Sequence, residues 1–274
     1  MYRMKGQTKY NTKTRKQRFY KILRKSKIKS KRSRSRSRSR RSRIGGGNGR
    51  LRNWIPLAKL DWAFLCKNPS PAAIELLRKN PDKINWKYLS QNPSAIQLIE
   101  QNPDKIDWDW LSMNPAAIHL LEQNLDKINW WRLSENPAAV RLLEQYPEKI
   151  DWSQLSRNPA AIHLLEQKPE NIDWWWLSTN PAAIHLLEQK PEKIYWNQLS
   201  DNPAAIHLLE QNPHKIYWLG LSTNPAAIHL LEHFLDKINW EYLSKNPAAI
   251  HLLEQNQDKI SREWLSANPA IFVQ

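Results

Sequence analysis

The stretch Asn114-Pro115-Ala116-Ala117-Ile118-His119-Leu120-Leu121-Glu122-Gln123 carries several independent signals for the opening of a helix. Asparagine is a favoured N-cap, and proline is tolerated at the first helical position, where no amide donor is needed. The residue before a proline avoids the helical region, so the start is pinned at that junction. Alanine, leucine, glutamate and glutamine are good helix formers. At 100° per residue Ala117, Ile118, Leu120 and Leu121 share one broad apolar face, and His119 points away from its centre.

Working outward, a second block follows the pattern Pro-Asp-Lys-Ile-Asp-Trp-x-x-Leu-Ser. Its proline ends the preceding helix in most copies. Asp107, Asn129 or Asp151 then caps a short second helix whose Trp and Leu stand at i and i+3. Helices of roughly nine and six residues follow, and isolated helices below ~12–15 residues are marginal in water. Stacking of neighbours must stabilise them. On that reading a recurring tryptophan is core, and removing one costs about 3–5 kcal/mol.

Both blocks recur. The Asn-Pro pair stands at Asn68, Asn92, Asn114, Asn136, Asn158, Asn180, Asn202, Asn224, Asn246 and Asn268, always 22 residues apart except for a first step of 24, where Ser70-Pro71 is inserted. A fixed period of 20–50 residues marks a repeat array. The expectation is an all-α solenoid of about ten 22-residue two-helix repeats over residues 61–274. A leucine-rich-repeat horseshoe shares this period, but no alternating β-branched strand is present. Residues 50–60, with Trp54-Ile55-Pro56-Leu57, read as an N-terminal cap on the first repeat. At the other end Pro269-Ala270-Ile271-Phe272-Val273-Gln274 begins another long helix and leaves an apolar end without a polar cap. End-to-end self-association follows as an expectation.

Ahead of the array the composition changes. Residues 1–60 hold 23 Lys or Arg and no acid, so the net charge of +16 divides into +23 before Asp61 and −7 from Asp61 onward. Residues 1–43 form a basic tail ending in the Arg-Ser run from Arg32 to Arg43, too charged to bury a core and expected to be disordered. Residues 44–49, glycine-rich, are a linker. The tail should bind DNA or RNA by counterion release, through Arg15, Lys16, Arg18, Lys21, Arg24, Lys25, Lys27, Lys29, Lys31, Arg32, Arg34, Arg36, Arg38, Arg40, Arg41 and Arg43. Phosphorylation of Ser33, Ser35, Ser37, Ser39 and Ser42 adds about −1.5 to −2 each and cancels close to half of that charge. A nuclear-localisation signal is the simpler role for the same tail. Its charge density is too high for a mitochondrial transit peptide, and no apolar core follows the N-terminus as in a secretory signal. No segment approaches the ~20 apolar residues that cross a bilayer, so no membrane association is expected.

The block Asn-Pro-Ala-Ala-Ile-His-Leu-Leu-Glu-Gln-Asn-Pro-x-Lys-Ile-x-Trp-x-x-Leu-Ser closely resembles the tandem repeats of proteins encoded by giant DNA viruses. The resemblance covers residues 61–274 and brings no activity with it. It implies an origin in a large virus of a eukaryotic host and an intracellular place of action: nucleus, cytoplasm, viral factory or virion, without secretion. The Arg-Ser alternation, over Arg32–Arg43 alone, resembles the RS domains of RNA-processing proteins and, more loosely, protamine-like packaging tails.

Candidate chemistry is thin. His229-Leu230-Leu231-Glu232-His233 fits the H-x-x-E-H zinc-peptidase pattern, but one Gln-to-His change within the repeat creates it and no third ligand is evident. His119, His163, His185, His207, His229 and His251 form a column, interrupted by Arg141, on what reads as a solvated face. Stacked helices ~8–10 Å apart hold such imidazoles too far apart to share an ion. Cys66 fills the position of Ser90, Ser112 and Ser134 and reads as a structural substitution. Neither paired carboxylates nor a phosphate loop is present, so no enzyme activity and no cofactor are expected.

Variation between copies points elsewhere. The framework barely changes, whereas the two positions after each recurring Trp, and the one before each Asn-Pro, vary widely. Trp110, Trp131, Arg132, Trp175, Trp176 and Tyr242 at these positions are candidates for binding a protein partner; drift on an unselected surface would also produce the variation. The reading that follows is a non-enzymatic tether, with the tail on nucleic acid and the solenoid on a protein. The alternative is a protein-interaction scaffold whose tail only directs it to the nucleus.

Overall fold

The computed structural model of the protein describes residues 49–273. The tail residues 1–43, with every nucleic-acid and phosphorylation candidate named above, lie outside the described residues, as do 44–48 of the linker.

From Trp62 to Ile271 the chain is a succession of short helices in the expected repeat. The Asn-Pro-Ala-Ala signal does start a helix, but usually as a 3-10 turn such as Pro115–Ala117, followed by an α-helix such as Ile118–Glu122. Only the first copy, with its Ser70-Pro71 insertion, runs as one eight-residue α-helix, Pro71–Arg78. The second block likewise begins with a 3-10 turn, Pro103–Lys105, before Trp108–Leu111. Asp107 caps that helix, its carboxylate accepting from the Trp110 amide at 3.1 Å.

The apolar core is a stack of identical layers. Leu111, Leu133 and Leu155 from the tryptophan helices meet Ala117, Ala139, Ala161, Leu121, Leu143 and Leu165 from the leucine helices, all fully buried. The tryptophans are not in it. Trp86, Trp108 and Trp152 are half-buried and pack against the core from its edge. Each is covered by a cation of the next repeat: Lys105 over Trp86 at 5.1 Å, Lys127 over Trp108 at 4.6 Å and Lys168 over Trp152 at 5.3 Å. Tyr146 and Phe234 take that place over Trp130 and Trp218. The expectation of a tryptophan core is corrected: the leucine at i+3 is the buried anchor.

Two buried polar ladders tie neighbouring repeats. Each Asn-Pro asparagine donates both amide hydrogens to the repeat before it. Asn158 reaches the Ser134 carbonyl at 3.1 Å and the Asn136 carbonyl at 2.9 Å, while its own Oδ1 accepts from the Ala160 amide. Each serine hydroxyl donates to the carbonyl four residues back and accepts from an amide of the next repeat, as Ser134 does from Asp151 at 3.0 Å. Buried polar groups are costly unless paired, so these ladders set the register between repeats.

Both ladders close on themselves. Asn68 of the first copy donates to the Ser266 and Asn268 carbonyls of the last, each at 2.9 Å, and the Asp61 amide donates to Ser266 Oγ at 2.8 Å. The bonding pattern matches every internal junction, so the ten repeats form a closed ring. The tenth is composite. Asn268-Pro269-Ala270-Ile271 from the C-terminal side opens it as a 3-10 turn, and the 3-10 turn Leu57–Lys59 with the helix Trp62–Leu65 completes it from the N-terminal side. In place of a leucine helix, strand β1 (Arg50–Leu51) pairs antiparallel with β2 (Phe272–Val273). The Arg52 amide and Nε also donate to the Ile271 and Ala270 carbonyls, at 2.9 and 2.8 Å.

Three expectations change. Residues 50–60 do not cap the first repeat from outside; they finish the last one. The chain after Pro269 turns into a strand rather than a long helix, because Arg52 takes the carbonyls a helix would need. The apolar C-terminal end is not open, Ile271 and Phe272 being buried and held by Arg52 and Leu51, so end-to-end self-association loses its premise.

Candidate functional site: the inner wall of the ring

In a closed ring the closest approach between repeats falls on the inner circumference. Here it belongs to the tryptophan helices and the Asn-Pro-Ala turns, which pack directly on their counterparts next door. The leucine helices stand farther apart and are joined by side chains: His119 to Glu100 at 2.8 Å, His185 to Glu166 at 2.9 Å and His251 to Glu232 at 2.9 Å. His163, His207 and His229 pair in the same way with Glu144, Glu188 and Glu210. The histidine column is therefore an outer belt of inter-repeat bridges, a role that spacing within one repeat did not reveal. In the H-x-x-E-H segment His229 holds Glu210, His233 Nδ1 meets the His229 carbonyl at 2.6 Å, and the α-helix ends at Leu231. Among the described residues no group of three or more His, Cys, Asp or Glu is placed to hold a metal.

The inner helix turns its core side, Leu and Ser, toward the leucine helix. Its opposite face carries the variable residues: the two after each Trp and the one before each Asn. The inner wall is thus a part of the ring in which the copies differ widely.

Of the six candidates on it, Trp131 and Trp175 are open, at 50% and 39% exposure. Trp110, Arg132, Trp176 and Tyr242 share one half-buried register and are engaged with their neighbours. The Arg132 guanidinium lies over Trp110 at 4.0 Å, with Nη1 3.3 Å from Met113 Sδ. Arg157 lies over Trp176 at 4.2 Å and pairs with Glu135 at 3.2 Å. Burial pushes the Glu135 carboxyl above its usual range, although Arg157 and Arg132 pull it down. Gln154, only 3% exposed, has an Oε1 with no hydrogen-bond partner.

The far side of the wall is an aromatic arc across the seam. Tyr242, Trp264, Phe64, Tyr88 and Trp110, one per repeat, have successive ring centroids 6.3, 5.3, 5.9 and 6.3 Å apart. Lys245, Lys67 and Lys87 lie over these rings. Phe64 stands two after Trp62, and Trp264 two after Arg262, which fills the place of the recurring Trp, so both belong to the same variable register. The closure adds the contact between them.

Cys66 substitutes for the ladder serine in full. Its thiol donates to the Trp62 carbonyl at 3.2 Å and accepts from the Asn85 amide at 3.3 Å. Burial pushes its pKa up to about 11, which keeps it a thiol. Among the described residues no helix is long and apolar enough to cross a membrane. Compared with known proteins, the chain matches no family model, no curated protein and no solved structure.

Proposed function

We propose that this protein is a nucleic-acid tether without catalytic activity: the basic tail holds DNA or RNA, and the ring presents its inner wall to a protein partner. The charge division carries the reading. With 20 Lys or Arg and no acid in residues 1–43, the tail is built for phosphate, while the residues from Asp61 onward carry −7 and have no comparable general attraction for it. Trp131 and Trp175, exposed on a rigid scaffold of otherwise constant repeats, have the size and chemistry of interface anchors. A viral origin and a nuclear or viral-factory setting belong to the same proposal and rest on the repeat resemblance.

Duplex DNA tests the tail, because its bases are not free to stack. With about ten phosphates engaged, log K against log salt has a slope near −9. Neutralising Arg32–Arg43 together with the upstream lysines should abolish binding at physiological salt. Duplex affinity that survives this change overturns the tether and leaves the scaffold with a targeting signal.

A further inference from the structure

The arc at the seam combines aromatic rings with lysines that no ion pair neutralises. Lys67, Lys87 and Lys245 gather over it, and among the described residues no acid lies within ion-pair distance of any of them. Lys67 Nζ stands 3.9 Å from the Tyr88 ring centre and 4.9 Å from that of Phe64. Lys245 stands 4.9 Å from Trp264 and 5.3 Å from Tyr242, and Lys87 5.5 Å from Trp110. Burial lowers the pKa of both Lys67 and Lys245, and Lys67 is pushed down further by Lys245 and Lys87. Asp201 is the one acid acting on Lys245. Asp109, Glu241 and Glu263 occupy neighbouring exposed positions, and Asp109 is engaged by Asn129.

Three lysines gathered without an ion-pair partner, two of them repelling Lys67, are a cost to the fold, offset only in part by the ring faces beneath them. A cation over an aromatic face gains about 0.5–2 kcal/mol. A phosphate would satisfy the ammonium groups better and free the faces, and a base has the flat π surface to replace the cation on them. Aromatic platforms interleaved with lysine or arginine are how single strands are held irrespective of sequence. A duplex offers the phosphates but not the faces.

We infer that the arc Tyr242–Trp264–Phe64–Tyr88–Trp110, with Lys245, Lys67 and Lys87, is a binding site for single-stranded nucleic acid. Bases stack on the rings while the lysines swing from the rings to the backbone phosphates. The site is separate from the tail: it is short, reads unpaired strands, and exists only when the ring is closed, since Trp264 and Phe64 meet across the seam. It deepens the tether reading but does not stand or fall with it.

The test uses the full chain with three probes of equal length: a single strand, an abasic strand and a duplex. The tail binds all three by charge, whereas the arc adds affinity only for the strand with unpaired bases. At salt high enough to suppress the tail, the single strand should bind about tenfold more tightly than the abasic strand, one stacked base sufficing for such a factor. Lys67→Gln with Lys245→Gln should lower its salt slope by about 1.4 while leaving the duplex slope unchanged. Photocrosslinking of a single strand to the unmodified protein should label Tyr88, Trp110 or Trp264, and needs no variant to fold. Equal affinity for single and abasic strands, or crosslinks confined to residues 1–43, overturns the site. A duplex that ignores tail neutralisation overturns the tether instead.

Discussion

Replacing one ladder asparagine tests whether the ring is closed in solution. Asn158→Ala removes two donated bonds, to the Ser134 and Asn136 carbonyls, and one accepted from the Ala160 amide. The Asn136 carbonyl keeps the Ala139 amide at 3.1 Å and the Ala160 amide belongs to an exposed residue, so the Ser134 carbonyl is the buried group that loses its partner outright. The loss is therefore about 1–3 kcal/mol, the cost of one buried group left unpaired. Asn68→Ala removes the same set, to Ser266, Asn268 and Ser70, and the Asn268 carbonyl keeps the Ile271 amide at 3.3 Å. In an open array the end repeats have one neighbour each, and weakening a terminal interface mainly frays that end. In a closed ring every junction is internal, so the two substitutions should cost the same within about 0.5 kcal/mol. Urea unfolding followed by helical circular dichroism measures both, and amide exchange of residues 50–70 and 260–273 shows whether the seam opens early. If Asn68→Ala costs under 1 kcal/mol while Asn158→Ala costs the full amount, the reasoning is refuted.

Other outcomes follow from the same packing. Leu155→Ala should destabilise more, by about 2–5 kcal/mol, than Trp152→Ala, because Leu155 is fully buried and Trp152 lies half open beneath Lys168; thermal melts of the two variants rank them. A circular permutant joining the neighbourhood of Gly49 to Val273, which are already in contact, and opening between the exposed Glu122 and Gln123 should keep the fold and most of its stability; a collapsed helical signal would contradict the closure. Because the Cys66 pKa is raised to about 11 in the folded state, its protonated form supports the fold. That support is complete below the unfolded thiol's pKa of about 8.5–9 and is lost as pH rises toward 11, by about 2–3 kcal/mol. Cys66→Ser should flatten this part of the pH profile, and thiol-alkylation kinetics at pH 8 should be slow in the native protein.

Much of the fold was legible in the repeat itself. Asn-Pro at each helix start, the Asp or Asn cap before Trp and the apolar spacing are local signals, and local geometry follows from them. The ranking of buried residues was misjudged because size suggested tryptophan as the anchor. A four- to six-residue helix has room for one central side chain against its neighbours, and leucine at i+3 points there while tryptophan at the first position lies at the edge. The covering cation belongs to the following repeat, so its role is invisible within one copy; Lys105 looks like an ordinary solvated lysine until Trp86 is placed under it. The histidines stand on an exposed face, as their spacing indicates, but their glutamate partners were hidden for the same reason, each lying 19 residues earlier on the adjacent helix.

The sequence by itself determined the two-helix unit, its period, the separation of a basic tail from an acidic body, and which columns vary. Tertiary structure alone decided closure. Whether ten units make an arc, a spiral or a ring depends on a small rotation at each junction, set by where the asparagine amide finds two carbonyls and the serine hydroxyl an amide. No single copy encodes that sum. Once it reaches a full turn, Asn68 meets Asn268, β1 meets β2, and residues remote in the chain become one wall.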